Sequence, residues 1–567
     1  MMTAFVHGAV FTPDALRGKG EPAEAVLVED GKIAAVGKTA DIRNALKPDD
    51  TTIDLQGQLM YPGFIDAHTH LGSYGTRLRQ LDLHNLMSLQ AALAKIEAYA
   101  RTLEPGEWLV GRGWDESRWP ENRYITRADL DPSTPQNPAL VLRVDGHLGA
   151  FNSIALRALG ILESDASDGI LKESALDSAR GKIQPTVAER KEDILQAIQK
   201  AHELGVTGIG EIATREDFHA FLELWKSRQL KLRVNLIPLW EIWGEVCKMI
   251  RGEENVPALQ EYEFPRKTRD SLRSPPPPEG RQLGDALSVA ERAFGDDTLT
   301  IRGIKFFADG SIGARTALLS DDYADAPGVR GQPYLDLPVI EEGIRTVVAA
   351  GFQPVTHAIG DAAIERVVSI YERVLSDTPH PSKDSGQALH LPRKGEGKGE
   401  GKRLGQDLGF RPRIEHFEMP SIEHIERLKS VGGIASMQPN FIGEWGLPGA
   451  MYEQRLGHSR WERMNPLWEI QRRGLPMCFG SDMMPFSPLY GIRCALMSPV
   501  RRQQIKEREA ILAYTEGGAC AAFMEHRWGK IGPGYCADFV VLDDSPSEMA
   551  NVRMTVFGGE IVYRKAL

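Results

Sequence analysis

The sequence predicts an α/β protein built on a TIM-type (β/α)8 barrel, with a small β-sandwich formed by both chain ends and an inserted α+β subdomain. Three observations predict it. Apolar β-like runs alternate with longer helical patterns through the middle of the chain, eight such runs can be counted, and the two termini share a texture of short strands and tight turns. A length of 567 residues suits a large barrel with a small companion and insertions.

The termini come first. Ala25-Val26-Leu27-Val28 and Lys32-Ile33-Ala34-Ala35-Val36 flank Asp30-Gly31, a hairpin turn signal. Near the other end, Ala537-Asp538-Phe539-Val540-Val541-Leu542 and Met554-Thr555-Val556-Phe557 precede Gly558-Gly559, another turn signal. Residues 1–61 and 526–567 are therefore expected to build one composite β-sandwich around a barrel spanning 62–525.

Barrel strands are expected near residues 61–66, 206–212, 232–239, 301–307, 352–357, 411–416, 433–438 and 476–481. The gap between the first two is too long for one crossover helix, which places an inserted subdomain near 80–185. Two further insertions, near 251–285 with its run Pro275 to Pro278 and near 380–410 with its Lys/Gly/Glu-rich run from Lys394, have linker composition.

Composition narrows the function classes. Hydrophobic residues make up 42% and charged residues 26%, so a large packed core is available. A formal net charge of −11 without a basic, aromatic-rich run argues against nucleic acid. No secretory signal pattern opens the chain and no stretch of about 18 apolar residues occurs, so the expectation is a cytoplasmic, non-membrane protein. The five cysteines form no Cys-x-x-Cys pair and read as reduced thiols.

The strongest local signal is Gly63-Phe64-Ile65-Asp66-Ala67-His68-Thr69-His70, an apolar strand ending in two histidines at i, i+2, which in a strand face the same side. Imidazole is a common metal ligand, and barrel strands collect catalytic groups at their C-terminal ends. His357 ends Phe352-Gln353-Pro354-Val355-Thr356, His416 follows Arg411 to Glu415, and Asp482 closes Met477-Cys478-Phe479-Gly480-Ser481. Each alone has a bland reading as a core, surface or helix-capping residue. Lys305 lies inside the apolar run Ile301 to Phe307, where an ammonium needs a partner or a modification. Two readings stay open for it: a salt bridge to Asp309 or Asp361, or carbamylation to a carboxylate.

With these ligand types in strand order, the chain resembles the amidohydrolase superfamily and, more closely, its YtcJ-type branch (amidohydrolase family 3), which includes N-substituted formamide deformylases. The branch is suggested by Gly113-Trp114-Asp115-Glu116, by Arg143-Val144-Asp145-Gly146-His147 with Asn152-Ser153, and by the block Lys305 to Ala317. The resemblance covers nearly the whole chain; the Lys/Gly/Glu-rich insertion departs from it.

The resemblance implies a metal-dependent hydrolase that cleaves a carbon–nitrogen bond of an amide-type small molecule, with zinc as one or two ions. It implies His68, His70 and Asp482 on a deeper metal, His357 and His416 on an outer one, and a carbamylated Lys305 on both, with Asp482 also moving protons. His147 and Asp145 are candidate substrate contacts or structural residues. Trp114 and Trp119 are candidate pocket walls or core, and Asp309 and Arg315 candidate contacts to substrate polar groups. A homodimer is the general prior for such a chain.

Two alternatives stand beside this reading. A mononuclear deaminase of a heterocycle carries His-x-x-Glu on the fifth strand, whereas here His357 is followed at the third residue by Gly360 and then Asp361. A non-catalytic binding or regulatory member would have lost ligands, and every ligand position here is filled.

Overall fold

A computed structural model of the chain describes residues 2–144, 148–161, 166–183, 185–250, 297–377 and 409–565. The expected insertions near 251–285 and 380–410 fall outside these residues, apart from Gly409 and Phe410.

Eight parallel strands carry the barrel: β1 (Phe64–Thr69), β2 (Val206–Ala213), β3 (Arg233–Pro238), β4 (Gly303–Phe307), β5 (Gln353–Ala358), β6 (Arg413–His416), β7 (Ile434–Met437) and β8 (Met477–Phe479). Every residue of β1, β2 and β3 is buried, as expected of parallel strands covered on both faces. Helix Asp361–Asp377 shows how the outer layer is held. Its buried positions Ala363, Ile364, Val367, Val368, Tyr371, Val374 and Leu375 form one apolar stripe. Tyr371 Oη reaches Arg413 O at 2.7 Å and Thr356 Oγ1 at 2.8 Å, linking that helix to β5 and β6.

The fold is TIM-barrel-like, yet its ladder is divided into two parallel sheets where the sequence suggested one closed barrel. One holds β1, β2, β3 and the short strand Leu299–Ile301; the other runs from β4 to β8. The break falls at Arg302, between Leu299–Ile301 and β4, and is spanned by a single parallel bridge from Leu239 to Lys305. At the other seam Asp482 N donates to His68 O at 2.9 Å, just after the three-residue β8.

The first strand needs a correction. Leu59–Pro62 belongs to the terminal sheet, paired with Phe539–Leu542, and β1 begins only after Gly63. A side chain at Gly63 would collide with Thr207, its Cβ 2.1 Å from Oγ1, so glycine permits the change of sheet.

Both chain ends share one core. A sheet of Lys32–Gly37, Ala25–Glu29, Met2–Val6 and Thr51–Asp54 and a sheet of Ala9–Val10, Leu59–Pro62, Phe539–Leu542, Val552–Phe557 and Glu560–Arg564 bury Phe5, Val26, Ile33, Met60, Phe539 and Val556 together. Arg233 at the start of β3 is paired with Asp538 through Nε–Oδ2 at 2.8 Å and Nη2–Oδ1 at 3.0 Å, both side chains buried.

Residues Gly72–Gln196 form a second compact unit. Its mixed sheet runs Ile170–Lys172, Leu148–Phe151, Ala139–Arg143, Leu109–Trp114, Leu81–Asp82. Its core packs Leu83, Ile96, Leu109, Trp114 and Val141.

Candidate metal centre

The C-terminal ends of β1, β6 and β8 converge. Single ligand atoms of His68, His416 and Asp482 all lie within 4.8 Å of one another. His68 Nε2 is 3.7 Å and His70 Nε2 3.2 Å from Asp482 Oδ1. His416 packs beside His68 and His357, with ring centroids 5.0 and 4.4 Å apart. The close trio groups His416 with His68 and Asp482, while the His357 ring also lies beside His416, the residue with which the sequence reading placed it on an outer metal.

Backbone conformation at the strand ends aims two of these ligands. His416 (φ 71°) and Asp482 (φ 51°) both take left-handed backbone, a conformation that costs non-glycine residues free energy and gathers at functional sites.

Hydrogen bonds fix which ring nitrogens carry lone pairs. His68 Nδ1 is 2.6 Å from Glu415 Oε2, with both side chains buried. A carboxylate accepts, so Nδ1 bears the proton and Nε2 is left to bind. Glu415 is held in turn by Arg413, through Nε–Oε1 at 2.9 Å and Nη2–Oε2 at 3.1 Å. Beside that guanidinium its carboxyl stays far below the usual carboxylate range despite burial. His357 Nε2 donates to Gly310 O at 3.0 Å, leaving Nδ1. Burial pushes the His357 imidazole down to about 3 and that of His416 well below its ordinary value, so both are neutral imidazoles near neutral pH.

Asp482, its side chain 15% exposed, is partly desolvated yet held at about 2 by its hydrogen bond to His70 and by the positive charge of Lys305. Lys305 is 1% exposed, and among the described residues its Nζ has no hydrogen-bond partner. Burial pushes this amine down to about 8. The salt-bridge reading fails at both proposed partners: Asp309 accepts from the backbone N–H groups of Leu318, Ile359 and Gly360, and Asp361 is bound to Ser320.

The donor set fits a divalent metal. Two neutral imidazoles and an ionised carboxylate converge on one point, a chemistry that suits zinc and similar ions, and His416 Nδ1 is a buried nitrogen without a partner among the described residues.

Three expected substrate contacts are engaged elsewhere. Trp114 is fully buried within the core of the second unit, its indole N–H donating to Val141 O. Asp309 is buried and, besides its three backbone bonds, stands 3.5 Å from His357 Nε2, so it braces the β5 end. Arg315 is committed to Asp325, through Nε–Oδ1 at 3.1 Å and Nη2–Oδ2 at 2.8 Å. Asp145 and His147 lie outside the described residues.

Sequence reasoning missed Glu415 and Arg413. Their signal was available as two charged residues at i, i+2 inside a short strand, a pattern that puts both on one side and makes them partners. Asp66 was also missed: it accepts from Ser481 N at 2.9 Å and so ties β1 to the loop carrying Asp482.

Comparisons with known proteins agree with this geometry. The sequence profile of the Amidohydrolase family matches residues 51–563. The chain is 29% identical to "Putative amidohydrolase YtcJ" of Bacillus subtilis (strain 168), over 100% of both chains. It is 33% identical to the N-substituted formamide deformylase of Arthrobacter pascens over 36% of this chain and 41% of that one. An uncharacterized metal-dependent hydrolase from Pyrococcus furiosus shares the fold, with a TM-score of 0.75 and 24% identity over 97% of this chain and 100% of that one.

Proposed function

The chain belongs to the amidohydrolase family, and from that membership we propose that it hydrolyses a carbon–nitrogen bond of an amide, N-formyl or N-acyl amine. The observation that carries the reading is the convergence of His68, His416 and Asp482 together with a buried Lys305 whose Nζ has no hydrogen-bond partner among the described residues.

His68, His416 and Asp482 would hold zinc, with His70, His357 and a carbamylated Lys305 completing the set. When bound, such a metal supplies Lewis acidity toward a carbonyl oxygen and makes water a nucleophile near neutral pH.

The chain's own residues do the rest. Asp482, ionised at neutral pH, takes the proton of the attacking water and returns it to the leaving nitrogen. His70 at 3.2 Å orients that carboxylate. Glu415 locks the His68 ring in one tautomer. Lys305, with its pKa near 8, is partly neutral near pH 7; its nitrogen bonds the carbon of CO2 and releases a proton, leaving a carboxylate.

The test is a screen of purified wild type and Asp482→Asn against N-formyl, N-acyl and cyclic amides. Amine release by wild type, lost in the variant, is expected. Inactivity on every amide, or ammonia release from heterocyclic amines alone, would overturn the reading.

A further inference from the structure

The end of β7 carries a carboxamide whose hydrogen-bonding capacity is unused. Gln438 directly follows Met437, is 2% exposed, and among the described residues neither its Nε2 nor its Oε1 has a partner. A buried amide left without a hydrogen-bond partner destabilises a fold, which makes this carboxamide a candidate to pair with a ligand.

Strand alternation gives its direction. Ser436 Oγ lies 3.2 Å from Arg413 Nη2, and that same nitrogen donates to Ala67 O at 3.0 Å, so position 436 faces the barrel interior. Position 438 shares that side. Gly480 N donates to Met437 O at 3.0 Å, fixing this end of β7 against the segment that leads to Asp482. The turn that Gln438 opens, with Phe441 N on Gln438 O at 3.1 Å, lays the Phe441 ring over His416 at 5.9 Å and 14°. Asn235 also has two unpartnered side-chain atoms, but it stands in the middle of β3 beside Thr300, away from the strand ends.

We propose that Gln438 is a specificity-determining residue whose carboxamide pairs with a planar substrate group offering one N–H and one C=O on the same side, as a ring (cis) amide, cyclic ureide or cyclic imide does and an acyclic trans amide does not. Nε2 donates to the carbonyl and Oε1 accepts from the N–H. A carboxylate or an ammonium group would satisfy only half of it. The inference rests on the amide-hydrolase reading and names the substrate class within it.

The experiment compares wild type with Gln438→Met, a variant of similar length without the amide, in the full metal-replete chain. Substrates are ring amides and cyclic imides bearing an N–H and their N-methylated counterparts. Wild type favours the N–H compound. Gln438→Met raises KM for it about ten- to hundredfold with kcat nearly unchanged, and the preference over the N-methyl compound collapses. The ligand-free melting temperature stays level or rises, because the thioether buries no unmet polar group. An unchanged KM and preference, or a lowered melting temperature with unchanged kinetics, overturns the proposal. Should wild type hydrolyse none of the amides, the hydrolase reading fails by itself. The melting temperature then decides alone: a drop assigns Gln438 to packing and overturns the inference, and no drop supports a group held for a ligand.

Discussion

Glu415 Oε2 lies 2.6 Å from His68 Nδ1, so the strand that ends in one candidate metal ligand, His416, also orients a second candidate, His68. Both bonds of Arg413 to that carboxylate are buried with it. The centre is therefore built as a connected unit spanning β1 and β6.

Glu415→Gln tests that unit. It removes the charge that fixes His68 and leaves the Arg413 guanidinium buried without its counter-charge. Metal affinity should fall about ten- to hundredfold, read by competition with a chromogenic chelator. Stability should fall by about 3–5 kcal/mol in denaturant titration. Unchanged affinity would separate Glu415 from the metal centre.

Lys305→Met replaces a buried, unpartnered amine by an apolar side chain. If Lys305 contributes a carbamate to the centre, the variant loses bound metal and nearly all turnover. Its metal-free form should melt at or above the wild-type temperature, because no ammonium is left to bury. Metal content and turnover equal to wild type would return Lys305 to a purely structural role.

His202 supplies a pH prediction away from the site. Burial lowers this imidazole to about 4, while Nε2 stands 2.8 Å from Lys231 O. The unfolded chain binds the proton more readily, so the contribution of His202 is fully present above about pH 6.5 and is lost as pH falls through the folded value. Between pH 7 and 5 the wild type should lose on the order of 1–2 kcal/mol through this group. His202→Gln should flatten that part of the acid limb in thermal melts; an acid limb of unchanged slope would contradict the assignment.

Arg233 and Asp538 join β3 to the segment preceding Phe539–Leu542, and Asp538 also accepts from Gly558 N at 2.8 Å. Asp538→Ala should cost about 3–5 kcal/mol, since it strands a buried guanidinium. Replacing both residues by apolar ones should cost less than the single change, a comparison that denaturant midpoints can make directly.

The approach of the site's side chains was partly legible because residues able to bind an ion interrupt apolar strands. His68, His416 and Asp482 each stand where a buried run meets its first residues able to bind an ion, and alternation or strand order predicts their approach. The approach of His68 to Asp482 was expected; that of His416 to both was not legible. That grouping depends on left-handed backbone at His416 and Asp482, and those residue types do not announce a positive φ. The first barrel strand was placed three residues early because Leu59–Pro62 and Phe64–Thr69 are equally apolar, and only the crowding at Gly63 marks the change of sheet. For Trp114 the sequence left pocket wall and core both open, and the side chain lies fully buried with its indole N–H on Val141 O.

The central claim is that His68, His416 and Asp482 hold a divalent metal. Its most direct test is elemental analysis of the dialysed full chain beside His68→Ala and Asp482→Ala, with folding verified by circular dichroism. About one to two divalent ions per wild-type chain are expected, with loss of at least one in each folded variant. A wild type without metal after zinc supplementation, or variants that retain the full complement, would contradict it.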